Sequence, residues 1–187
     1  MFPPLTLKTV RWRPFEGEGL EHLTVRMTGG GFRAESTVIG GADAERYGVR
    51  YAIDLDERWR VRAFAVEETA GRRIAMTADG EGHWQGEDGT PLSTFDGCID
   101  IDLAGSPFTN TLPIRRLALR PEHGTARLKM VYVPFDTFRP FPDGQHYTCL
   151  QPAGRYLYEA EDRTFSAELP VDADGFVTDY PTLFARL

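Results

Sequence analysis

From Tyr47 to Leu55 every second residue is large and apolar: Tyr47, Val49, Tyr51, Ile53 and Leu55, with Gly48, Arg50, Ala52 and Asp54 between them. Side chains alternate across a strand, so this spacing commits the segment to a β-strand with one face in a core. The next run answers it, with Trp59, Val61, Ala63 and Ala65 alternating with Arg60, Arg62, Phe64 and Val66. A loop over Asp56, Glu57 and Arg58 sets Leu55 opposite Trp59 and Asp54 opposite Arg60, so that apolar meets apolar and acid meets base. Asp54 and Arg60 are expected as a solvated cross-strand ion pair.

The same period recurs along the chain. Leu23, Val25 and Met27 face one way within 20–28, the glycines at 29–31 make a hairpin turn, and Phe32–Ile39 is the return strand. The glycine triplet lacks the spaced glycines and Lys-Ser/Thr ending of a phosphate loop. Segments 72–77 and 82–86 are short strands around the turn 78–81, the second with Trp84 inward and His83 outward. Segment 126–133 is apolar on nearly both faces, as a central strand is. Segments 145–150 and 155–160 are strands, and a turn at Glu161-Asp162 sets Tyr158 against Phe165 and Tyr156 against Ala167. Asp172 to Gly175 reads as a turn, without the later glutamate of a calcium loop. Only 179–187 has helical character, and it is short. No repeat or linker divides the 187 residues, so they form one domain. The expected fold is mainly β: a single, curved antiparallel sheet with at most two short helices.

A formal charge of -7 argues against nucleic acid or an anionic membrane as partner. The first residues carry no basic and apolar signal segment, and no span reaches transmembrane length, so no stable membrane insertion and a cytoplasmic location are expected. Cys98 and Cys149 are then expected as free thiols. The histidines at 22, 83, 123 and 146 show no ligand spacing, no cofactor motif is present, and no serine or cysteine sits in a nucleophile context.

The stretch Gly97 to Leu117 is the least ordinary. Asp100 and Asp102 share one strand face opposite Ile99, Ile101 and Leu103, and like charges side by side call for cations or donors. Arg115 and Arg116 are the expected cations, packed near both carboxylates and fixing the loop 107–113, whose prolines lack amide donors. The run 134–144 holds three prolines and three phenylalanines and reads as a loop over the end of the core, or as a lid.

The run Pro107-Phe108-Thr109-Asn110-Thr111-Leu112-Pro113-Ile114-Arg115-Arg116-Leu117 resembles the signature of the Putative glycolipid-binding family. Cys98 to Asp102, Gly82 with Trp84, Gln145 with Tyr147 and Thr148, Val171-Asp172 through Gly175, and Asp179-Tyr180-Pro181 extend the likeness along nearly the whole chain. The resemblance implies a sheet curled into an incomplete barrel, similar in shape to lipoprotein localisation factors, and a glycolipid or other amphiphile as ligand. No catalytic residues carry over. An open, aromatic-lined concavity suits an amphiphile, rings against the tail or sugar face and polar groups at the mouth. The candidate ligand-binding residues are Trp59, Trp84, Asp100, Asp102, Asn110, Arg115, Arg116, Tyr132, Phe138, Gln145, Tyr147 and Tyr158. The alternative is a carbohydrate-active enzyme with Asp100 and Asp102 as acid and base.

Overall fold

The computed structural model describes residues 2–41 and 46–187. Strands β1 (Leu7–Pro14), β2 (Leu20–Thr28), β3 (Gly31–Gly40), β4 (Tyr47–Asp56), β5 (Val61–Glu68), β6 (Arg73–Ala78) and β7 (Trp84–Gly86) follow one another as antiparallel neighbours. β8 (Asp100–Leu103), helix α1 (Phe108–Leu117), β9 (Thr125–Val133), β10 (Phe141–Gln151), β11 (Arg155–Ala160) and β12 (Ser166–Pro170) come next. The chain then returns to the edge beside β1 with β13 (Asp179–Tyr180) and β14 (Phe184–Arg186). Hydrogen bonding divides these strands into a nine-stranded sheet, β13-β14-β1 through β7, and a five-stranded sheet, β12-β11-β10-β9-β8. The mainly β, curled antiparallel half-barrel is as expected, but it is built from two hydrogen-bonded sheets rather than one. β8 and β9 pair in parallel, which requires a crossover connection, and α1 lies in it.

The inward stripes read from sequence form the core on β4 and for Leu23 and Val25, but Met27 is 58% exposed, and on β5 the register shift buries Phe64 and Val66 rather than Ala63 and Ala65. Leu23 and Val25 on β2, and Val49, Tyr51, Ile53 and Leu55 on β4, are all buried. Trp84 is inside and His83 is exposed. α1 lies between two apolar clusters, with Phe108 and Leu112 in the cluster under the larger sheet and Ile114 in that of the smaller. The β2–β3 turn depends on Gly31: its φ is 146°, and a Cβ there would lie 2.0 Å from the Leu55 carbonyl oxygen.

The structure corrects several local expectations. Segment 107–113 is not a loop: Pro107 stands at the helix N-cap with φ of -63°, and Ser106 Oγ accepts the Phe108 amide. Proline at a helix start is pre-shaped for it, and Pro113 inside α1 forfeits one backbone hydrogen bond. The β4–β5 turn is longer than expected. Asp56 accepts the amides of Arg58 and Arg60 and the Arg60 guanidinium, which lifts Trp59 out of the strand at a φ of 65°. Leu55 therefore faces Val61, and Asp54 pairs with Arg33 at 2.7 Å rather than with Arg60. Asp162 likewise binds the amide and hydroxyl of Thr164, so the β11–β12 loop lengthens and Tyr158 faces Ala167 while Tyr156 faces Leu169. Segment 179–187 holds two short strands rather than a helix, β13 and β14, and Trp12 to Pro14 on β1 offer β14 an edge. The run 134–144 ends as β10, and Phe135 and Phe138 are buried in the core.

Cys98 and Cys149 are free and buried, and burial pushes the Cys98 thiol up to about 11. A thiol reagent should label neither cysteine in the folded protein and both after denaturation. Leu112, fully buried between sheet and helix, should cost about 3 kcal/mol when cut to alanine, whereas the exposed Leu150 should cost under about 0.5. Denaturant titration of the two variants checks this.

Candidate functional site

The inward face of β2 carries an anomaly. Leu23 and Val25 point into the core, and two residues earlier the same parity delivers Glu21, which is 2% exposed. It stands opposite Trp12 on β1 and Val38 on β3. Its Oε1 accepts hydrogen bonds from Tyr51 Oη at 2.6 Å, Ser106 Oγ at 2.8 Å and Ser36 Oγ at 2.9 Å. Its Oε2 is buried with no partner. Burial pushes the carboxyl up to about 7, against the pull of these three hydroxyls. The same burial, with the Glu21 charge, pushes the Tyr51 phenol well above its ordinary value.

Glu21 lines a cavity of about 350 Å³ between the ends of β1 to β4, the turn after β8, and Phe184 on β14. Trp12, Leu20, Val38, Ile39, Tyr47 and Phe184 give it apolar walls, and Gly105 keeps it open. A Cβ on Gly105 would come within 2.6 Å of the Phe135 ring and 3.0 Å of Tyr47 Oη. A larger groove of about 620 Å³ crosses the outer face between His22, Arg26, Glu35, Arg50 and Glu67. Its charges satisfy one another, Arg26 with Glu35 and Arg50 with Glu67, which is the behaviour of a solvated sheet face.

The residues singled out from sequence fall into three places. Asp100, Asp102, Asn110, Arg116, Gln145 and Tyr147 come together around α1. Asp100, 1% exposed, takes Arg116 in a two-pronged pair at 3.1 and 2.5 Å. Burial still raises its carboxyl, with Arg116 opposing. Asp102 meets no arginine: Oδ1 accepts Thr109 Oγ at 2.9 Å and Oδ2 accepts Gln145 Nε2 at 2.6 Å, and burial raises it as well. Tyr147 Oη donates to Asn110 Oδ1 at 2.8 Å. Tyr132 and Tyr158 stand nearby, and the Asp102 charge helps to raise both phenols after burial itself.

Arg115 and Trp59 form a separate contact. The Arg115 guanidinium lies 4.2 Å from the Trp59 ring and donates to the Pro3 and Asp174 carbonyls, so the expected Arg115 pairing with a carboxylate of β8 is replaced by a cation–π contact and backbone bonds. Trp84 and Phe138 are core residues. Trp84 Nε1 donates to the Cys98 carbonyl, and Phe138 packs on Phe135 and under Arg72. Neither lines the cavity. Glu21, Ser36, Tyr51 and Ser106 were missed as a group, although extending the Leu23 and Val25 stripe back by two residues lands on Glu21.

Two outcomes follow from these geometries. Asp100→Ala strands the enclosed Arg116 and should cost on the order of 3 kcal/mol; an unchanged denaturation midpoint would contradict the buried pair. Glu21 binds its proton more tightly folded, near 7, than at its ordinary 4.5. The folded state then holds more protons than the unfolded one across that window, and stability falls as pH rises through it. The loss is about 3 kcal/mol, complete above 7. Glu21→Gln should remove that component, read as the difference between the two stability–pH curves.

The model of the family described as Putative glycolipid-binding matches residues 9–186. A DUF1089 family protein from Pseudomonas aeruginosa, known from a crystal structure, superposes with a TM-score of 0.79 at 37% identity, covering 100% of this chain and 95% of its own. No curated protein matches the chain. With the match spanning nearly its whole length, and with the curled β fold and the motif-bearing helix in place, the chain belongs to the Putative glycolipid-binding family.

Proposed function

We propose that the protein is a binding module for a glycolipid-type amphiphile, held against the concave face of the nine-stranded sheet, with a part in glycolipid metabolism or transfer. The observation that carries this reading is the cavity of about 350 Å³, apolar along its walls and furnished with one built polar cluster. That combination is how small-molecule sites gain affinity from area and orientation from a few placed polar groups. The family description supports the glycolipid class. Among the described residues no helix is long and apolar enough to cross a membrane. Two buried free thiols suit a reducing compartment, and a cytoplasmic location belongs to the same proposal.

The enzymatic alternative draws less support. Asp100 is clamped by Arg116 and Asp102 by Thr109 and Gln145, which leaves neither carboxylate free to pass a proton to a substrate. They also lie two residues apart on one strand rather than flanking a space for a sugar.

Dodecyl glucoside, kept below its micelle concentration, should change the tryptophan fluorescence saturably, because Trp12 lines the cavity. Val38→Phe, which fills the space, should weaken this response about tenfold or more, while Phe138→Ala, outside the cavity, should not. Absence of any saturable response in the parent protein would overturn the proposal.

A further inference from the structure

The polarity of the cavity runs in an unusual direction. Its inner end is made by Trp12, Val38 and Glu21, all nearly or fully buried. Its exposed lining residues are mixed: Ile39 is apolar and 54% accessible, beside the exposed Glu16 and Gly17. A site that takes a hydrocarbon tail inward would not set a buried carboxylate with an unpartnered oxygen at its inner end.

We infer that the amphiphile is seated head first, a hydroxyl of its sugar-like head pairing with Glu21 Oε2 while its chain leaves across Ile39 and Phe184. This rests on the reading of the cavity as the amphiphile site. Three hydroxyls already crowd Oε1, so the second oxygen is the one with capacity to spare. A buried oxygen without a partner is costly, and a ligand group that meets it relieves that cost on binding. A hydroxyl is the matching chemistry, because it accepts from the protonated carboxyl and donates to the ionised one, and burial has brought Glu21 to about 7, where both forms are populated. Among the described residues the lining holds a second carboxylate, Glu16, and no cationic side chain, which disfavours an anionic head and suits a neutral one. Trp12 and Tyr47 also line the cavity.

The experiment compares dodecyl glucoside binding to the parent protein, Glu21→Gln and Glu21→Leu, each first shown to melt cooperatively. Head-first seating predicts about a tenfold loss in Glu21→Leu and near-parent affinity in Glu21→Gln, whose amide both donates and accepts. Equal or tighter binding by Glu21→Leu would overturn head-first seating while leaving the cavity as the amphiphile site. As a measurement independent of variant folding, the infrared carbonyl band of protonated Glu21, assigned at a pH below 7, should shift when the parent protein binds dodecyl glucoside. A band that does not move while Val38→Phe weakens binding as expected would also overturn the orientation. Failure of the parent protein to bind at all would remove the cavity reading and this inference together.

Discussion

One turn, between β8 and α1, holds the two sheets to each other. Ser106 Oγ donates to Glu21 on the larger sheet, and Thr109 Oγ, one helical turn on, donates to Asp102 on the smaller. Asp102 passes the connection to the Gln145 side chain on β10, whose Oε1 accepts from Tyr147 Oη at 3.4 Å. Taking carboxyl groups out of water is expensive unless donors replace the lost hydration, and here the donors are hydroxyls and an amide rather than cations. The position of α1 follows from this, and with it the placement of Phe108 and Leu112 in one core and Ile114 in the other.

Much of the architecture was legible because period two is a local property. The β4 stripe and Leu23 with Val25 on β2 needed only the pleat to predict which side chains are buried, and Trp84 against His83 needed only alternation. What escaped was set by side chains acting on backbone nearby. Asp56 and Asp162 each gather amides two or more residues ahead and lengthen their turns, which shifts every partner in the following strand. α1 was hidden by its own prolines, whose tolerance depends on one standing at the cap and on how firmly the helix is packed between two cores.

The site was legible in one half. The pairing of Asp100 with Arg116 follows from the composition of two neighbouring motifs, since an isolated buried carboxylate demands a partner. The Glu21 cluster joins residues from β2, β3, β4 and the turn after β8, so no motif announces it. It was visible only as a fault, a charged residue at an inward parity, and such faults in an otherwise consistent pattern are where function is found.

The pairing of β1 with β14 joins residues some 170 positions apart, Trp12 facing Arg186. It also places Phe184 in the wall of a cavity whose other walls come from the first quarter of the chain and from Gly105. During synthesis the meander of β1 to β7 can zip together as each hairpin leaves the ribosome, because its contacts are between neighbours in sequence. The outer edge of β1 stays uncovered until the segment around 184 emerges, and an open strand edge invites pairing with other chains. The same event that protects that edge completes the cavity, so a nascent or clipped chain lacking this strand would have a breached cavity wall and be prone to aggregate.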